Sequence, residues 1–261
     1  MDYQQNAGKI ALLKLFLSWM LVLFCVSMNA QNSIRDSSIN LSTIAVNYSY
    51  HIPSNDLADR FLNSSSLGIS FLRSTSKNWL FGFETNFIFR DTVKQNDILR
   101  SIETQHGFII DQNGDPANIL LSERGFNAFV KFGKLIPMKK VNLKSGFFGW
   151  AGIGLLQHKI RIDDQNNNSP QLKEDYKKGY DYLSNGIAFQ QFVGYQYLSN
   201  KRLLNFYLGF EVIQAFTKNR RSYNFDLMRK DDEKRTDILT GFKCGWIVPL
   251  YKKLPKEFYY Y

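Results

Sequence analysis

The stretch Trp79–Arg90, W-L-F-G-F-E-T-N-F-I-F-R, restricts the possible folds more than any other part of the chain. Its odd positions carry Trp79, Phe81, Phe83, Thr85, Phe87 and Phe89; its even positions carry Leu80, Gly82, Glu84, Asn86, Ile88 and Arg90. Successive strand residues point to opposite faces, so this alternation predicts a ribbon with rings on one side and a mixed, charged surface on the other. Strands of soluble domains usually run to about 5–6 residues, whereas a tilted strand needs about 9–11 to cross a bilayer. The length of Trp79–Arg90 fits the second case.

The same device recurs along the chain. Alternating segments are predicted at 41–52, 66–73, 79–90, 124–136, 146–162, 186–198, 203–216 and 238–250. Pro53-Ser54-Asn55-Asp56 is expected to break the first of them. In the fifth, Phe147, Phe148 and Trp150 fall on both faces, which suggests a bulge. The connections alternate long and short, the longest being 91–123. An even strand number with short turns at one end and long loops at the other is the pattern of outer-membrane barrels. A soluble eight-stranded barrel needs neither that asymmetry nor an exterior of Phe and Trp. The sequence therefore predicts an all-β fold, an eight-stranded antiparallel up-and-down transmembrane β-barrel over 41–250 with long extracellular loops.

The ends and the bulk composition agree with export. Lys9 and Lys14 begin or interrupt an apolar run that gives way to Ser27-Met28-Asn29-Ala30-Gln31, the layout of a signal peptide over 1–30 cut after Ala30. Lys14 leaves too short a run for a membrane-spanning helix. Residues 31–40 then read as a polar periplasmic leader and 251–261 as a periplasmic aromatic and basic tail. Cleavage would lower the formal charge from +10 to +9 and leave Cys244 without an intramolecular disulfide partner. Aromatics make up 15% of the chain, which suits the lipid-facing half of alternating strands. The basic balance points to outer-membrane lipid and lipopolysaccharide, not to nucleic acid.

Over nearly its whole mature length the chain resembles small outer-membrane barrel proteins typical of Bacteroidota. The segments that carry the likeness are Asp56-Leu57-Ala58-Asp59-Arg60-Phe61, Asn78-Trp79-Leu80-Phe81-Gly82, Leu156-Gln157-His158-Lys159-Ile160-Arg161, Asp175-Tyr176-Lys177-Lys178-Gly179-Tyr180-Asp181, Asn219-Arg220-Arg221-Ser222-Tyr223-Asn224-Phe225 and Glu257-Phe258-Tyr259-Tyr260-Tyr261. The resemblance implies fold and location. It brings no agreed activity with it.

Four charged residues, Glu84, Lys131, Glu211 and Lys243, fall on the inward faces. An eight-stranded barrel is just wide enough to be filled by side chains, so these charges are expected to pair in a lumen network. The alternative is an ion path or an acid–base pair. His51, His106 and His158 lack ligand spacing, and no G-x-S-x-G elbow is present, so no metal, cofactor or catalytic residue is assigned. Asp111-Gln112-Asn113-Gly114-Asp115 alternates oxygens as a calcium loop does, but its Gly is displaced and no Glu closes twelve positions. Its flanks, Phe108-Ile109-Ile110 and Ile119-Leu120-Leu121, predict an Asn-Gly hairpin beyond the membrane. Glycolipid or partner contacts are expected in the loops, from Arg220, Arg221, Arg229, Lys230, Lys177, Lys178 and Tyr180. The expected role is a non-enzymatic accessory or structural subunit of a larger outer-membrane assembly or secretion complex, with other outer-membrane proteins as partners. The alternatives are surface adhesion, lipopolysaccharide binding, a narrow channel or lipid modification.

Overall fold

The computed structural model describes residues 40–138, 143–166, 168–199 and 204–250. The expected signal peptide, most of the leader and the tail lie outside the described residues, as do parts of the turns around 137–145 and 199–202. Eight strands form one closed antiparallel ring in chain order: β1 (Leu41–Asn55), β2 (Ser64–Ser74), β3 (Trp79–Arg90), β4 (Ile119–Pro137), β5 (Gly146–Asp164), β6 (Ser184–Leu198), β7 (Asn205–Asn219) and β8 (Lys234–Leu250). β8 closes on β1 through pairs running from Ser42–Leu250 to Asn55–Asp237. Closure leaves no open edge through the body of the barrel, where each strand has neighbours on both sides; only the strand ends toward the long loops extend past one neighbour.

Alternation sorts the side chains. Ile44, Val46, Tyr48, Tyr50 and Ile52 of β1 face outward, while Ala45, Asn47, Ser49 and His51 are buried in the lumen. On β3 the rings of Phe81, Phe83 and Phe87 face out and Leu80, Glu84, Asn86 and Ile88 face in. On β4 the outward residues between Arg124 and Lys134 are Phe126, Ala128, Val130 and Phe132, an apolar width that fits a bilayer-crossing strand. An apolar wall outside and a polar interior inside is the inverse of a soluble domain. It is the form in which a sheet crosses a membrane.

Several expectations change. Pro53 does not end β1; it pairs with Leu239 of β8, and the strand continues to Asn55. Pairing of β1 with β2 stops at His51–Ser64, so Pro53 lies where β1 has one neighbour and its missing N–H removes no ladder bond on the open side. The chain turns instead at Asn55, whose φ is 59°, into a short helix, α1 (Asp56–Arg60). β5 has no bulge: its register with β4 is unbroken from Pro137–Gly146 to Ile119–Asp164. Phe147 faces out, and Phe148 and Trp150 face in. The hairpin expected around Asn113-Gly114 shrinks to a single bridge between Ile110 and Pro116. Ile119, Leu120 and Leu121 pair with β5 instead, because β5 is long enough to offer them a ladder as far as Asp164. Asp111 closes the small turn by accepting from the backbone N–H of Asn113 and Asp115, at 2.8 and 3.0 Å. The last loop is likewise shorter than expected, since β7 runs to Asn219 and β8 begins at Lys234.

Candidate functional site

The lumen is filled in tiers. Nearest the short turns, Phe148, Trp150, Phe192 and Tyr207 form an aromatic tier, with Trp150 stacked on Phe192 at 4.1 Å between ring centroids. Glycines make room for it. A Cβ at Gly245 would lie 2.3 Å from the Tyr207 ring, and one at Gly209 or Gly194 would lie 2.6 Å from the Phe192 ring. Large rings facing bare backbone are how a narrow barrel accommodates its bulk.

Above the rings sits a charged tier. Lys131 donates to Glu84 Oε2 at 2.8 Å, and its ammonium lies 3.9 Å from the centroid of the Trp150 ring, which joins the two tiers. Lys243 bridges Glu84 and Glu211. Gln190 donates to both carboxylates, at 2.9 and 3.2 Å. Asn86 donates to Glu84 and to Asn127, and His51 Nε2 lies 3.1 Å from Glu211. All four charged side chains are at most 2% exposed. Two carboxylates and two ammonium groups thus balance within one hydrogen-bonded cluster, which offsets the cost of burying them.

Toward the long loops the interior becomes apolar again, with Leu57, Phe61, Ile88, Phe129, Leu156, Ile160, Ile213 and Leu239 in one buried cluster. Within it His158 Nε2 lies 2.9 Å from Asp237, which also accepts from Thr217, while Arg60 of α1 reaches Asp237 at 3.5 Å and Ser184 at 3.4 Å. α1 lies over this end of the lumen, and Val93, Ile98, Leu99, Ile109, Leu172, Tyr180 and Tyr182 extend the core into the loops. Both His–carboxylate pairs are sealed, with His51 and His158 no more than 1% exposed. A cleft of about 480 Å³ under the β3–β4 loop is lined by Val93, Leu99, Ile109 and Leu121 with Asp91 and Glu103, and it reaches neither pair.

The β5–β6 and β7–β8 loops brace each other at the far end. A small hairpin closes with the Asn224–Arg229 bridge; Phe225 N–H donates to Gly179 at 3.0 Å, and its ring packs edge-on to Tyr180 at 5.2 Å. Only glycine fits at 179, since a Cβ there would lie 2.1 Å from the Phe225 ring. Arg221 forks onto both oxygens of Asp181, with Nε at 2.8 Å, and this bonding raises its pKa above the ordinary arginine value. Tyr182 bonds Asp226, and Asp231 accepts from Asn219 and pairs with Arg235 at 2.7 Å. Among the charged side chains at its surface this bracing also holds apolar ones outward: Tyr176 and Met228 are 62% and 67% exposed, and Tyr223 and Leu227 are exposed too. Met228 has φ 50°, an uncommon conformation for a side-chain-bearing residue, at the hairpin tip.

The seven loop residues expected to make outside contacts therefore separate. Tyr180 is 5% exposed and belongs to the loop core, because Phe225 covers it. Arg221 is an internal clamp, because Asp181 takes its fork. Lys177, Lys178, Arg229 and Lys230 remain at the rim, the last three paired with Asp175, Glu233 and Asp232. Arg220 lies at the barrel rim, donating to Asn185 at 2.6 Å. The sequence reading missed Gln190 as a bridge between the glutamates, although its place between the outward Phe189 and Gln191 marks it as inward. It also missed Arg60, which no strand alternation could locate because it comes from α1.

The fold and its filled lumen define the class: a closed eight-stranded β-barrel of the transmembrane type, braced over its long-loop end. No family model matches the chain, and no curated protein matches it. Among solved structures it is similar to Ail, the attachment invasion locus protein of Yersinia pestis, crystallised with the heparin analogue sucrose octasulfate, at 10% identity over 80% of this chain and 99% of that one, with a TM-score of 0.42. Neisserial surface protein A matches at 10% identity over 78% and 95%, TM-score 0.34. The outer membrane protein OprG of Pseudomonas aeruginosa matches at 9% over 83% and 99%, TM-score 0.35.

Proposed function

We propose that the protein resides in a bacterial outer membrane, long loops outward, and acts without catalysis as an accessory subunit that docks to a larger outer-membrane assembly. Three features support this reading. The outer wall is apolar where a strand would meet lipid. The lumen is occupied through its middle by Glu84, Lys131, Glu211 and Lys243, paired with one another, which supports packing over passage as their role. The carrying observation is the ridge of Tyr176, Tyr223, Leu227 and Met228, apolar side chains held in water on loops that are tied down at every turn. A braced loop that displays apolar groups loses little conformational entropy on binding, and Met suits adaptable contact surfaces.

The test is mild-detergent purification of the tagged full chain from its native membrane, with identification of co-purifying proteins. Leu227→Asp/Met228→Asp is expected to lose a partner that the wild-type protein retains, with the barrel still folded. Recovery of wild type only as a free monomer, or a partner held equally by the variant, would remove the docking role from this ridge.

A further inference from the structure

Along β4–β8 the outer wall changes from apolar to basic toward the long loops. The last large apolar outward residues before the cations are Phe126 on β4, Leu155 on β5, Ile187 on β6 and Phe216 on β7, each exposed; on β4 an apolar side chain, Leu120, is exposed again beyond Arg124. Register aligns three of them, since Leu155 pairs with Ile187 and Ile187 with Phe216, while Phe126 stands one outward position nearer the loops, opposite Gln157. Directly beyond these residues stand Arg124, Gln157, Lys159, Asn185, Lys218 and Lys234. Arg124 is directly opposite Lys159, and Lys218 directly opposite Lys234. Like charges facing each other across a sheet destabilise it, and here the pairing occurs twice in adjacent rows: Lys218–Lys234 is level with Asn185 and Gln157, and Arg124–Lys159 lies one outward position nearer the loops. Arg161 lies one outward position beyond Lys159, and Arg220 joins the row through Asn185.

The carboxylates facing this row are Asp91 near Arg124 at 3.4 Å, Asp163 near Arg161 at 3.1 Å and Asp232 near Lys218 at 3.1 Å. Arg124 also donates to the carbonyls of Arg90 and Glu123. Lys159, Arg220 and Lys234 have no carboxylate partner among the described residues. Followed round the ring by register, the level of Arg124 and Lys159 on β3, β2 and β1 carries Phe89, Ser65 and Tyr50, with no cation. The basic charge is therefore confined to one sector and sits at the edge of the apolar wall.

We infer that this sector binds the phosphate groups of an acylated, phosphorylated lipid. The acyl chains lie against Phe126, Leu155, Ile187 and Phe216, and the phosphates meet Lys159, Arg161, Lys218 and Lys234. Phosphate supplies the negative charge that the facing cations need, and the adjoining apolar wall selects a lipid over a free anion. The inference rests on the membrane residence proposed above.

The test uses the refolded full chain in mild detergent and native mass spectrometry, with diphosphoryl lipid A, a neutral galactosyl diacylglycerol and inorganic phosphate as probes. Lipid A is expected to remain bound while the neutral lipid and inorganic phosphate do not. Lys159→Gln/Arg161→Gln/Lys234→Gln is expected to weaken retention by about fivefold for each charge removed. Lys134→Gln, whose ammonium lies over Trp79 at the opposite rim, is expected to leave it unchanged. The heat-dependent electrophoretic shift of a folded barrel checks each variant, and Lys159→Gln alone serves if the triple variant fails to fold. Equal retention by the folded variants, or of the neutral lipid, overturns the site; equal retention of inorganic phosphate overturns the lipid assignment. Leu227→Asp/Met228→Asp is expected to keep lipid A, so a failed docking role leaves this result intact. Fractionation away from the outer membrane would sink the residence reading whatever lipid is retained.

Discussion

At the scale of single residues, the lumen cluster is governed by charge balance. Glu84 receives Lys131, Lys243, Asn86 and Gln190, so it is the side chain most of the tier depends on. Glu84→Gln keeps nearly the same volume but leaves Lys131 and Lys243 to share one carboxylate, Glu211. Removing one partner of a buried ion pair costs about 3–5 kcal/mol. We expect a loss of that size in the unfolding free energy, seen as a lower urea midpoint of the folded barrel read by its electrophoretic shift. Glu84→Gln/Lys131→Met restores the balance and is expected to recover part of the loss. An unchanged midpoint for Glu84→Gln would mean that the tier contributes nothing to stability.

At the scale of elements, the braced loops depend on a few polar hubs, and Asp231 is one whose protonation can be changed. Burial alone would raise its pKa, but the hydrogen bond and charge of Arg235 and the hydrogen bond from Asn219 outweigh it and hold the carboxyl below the usual aspartate value. A carboxylate with a depressed folded-state pKa contributes stability that is complete above its unfolded value and is lost as pH falls through the folded one. Amide hydrogen exchange in 220–233, corrected for intrinsic rates, is therefore expected to show steady protection from pH 7 to pH 5 and to lose it below about pH 4. Asp231→Asn should be poorly protected throughout; protection that persists in the wild type to pH 2 would contradict the role given to Asp231. These loops were also the least legible part of the chain. Alternation located the outward rings and the inward Glu84, Lys131, Glu211 and Lys243, because a period of two fixes a side chain's face without any knowledge of its neighbours. Neither the burial of Tyr180 nor the clamp of Arg221 on Asp181 follows from a period, since both arise where two loops distant in sequence meet. Phe148 and Trp150 were ambiguous for a different reason. An apolar residue on the inner face mimics a shift of phase until the glycines facing it are known.

At the scale of the whole molecule, the tiers act in series. The aromatic tier, the charged tier and the apolar core beneath α1 occupy successive levels of one narrow barrel, so opening any one leaves two others closed. Trp150→Ala/Phe192→Ala removes the two stacked rings and is expected to lower stability, since truncating one buried aromatic costs about 3–5 kcal/mol. It is not expected to create a pore, because Lys131, Lys243 and their glutamates still lie across the path. In planar bilayers, both wild type and this variant should give no stepwise ohmic conductance. A unitary step from wild type that Glu84→Gln abolishes would show the charged tier to be an ion path, and the loops would lose their place as the working surface. Silence from both proteins, together with a lower urea midpoint for the aromatic variant, fits a barrel whose interior is built for rigidity and whose dealings with other molecules are confined to its outer wall and its braced loops.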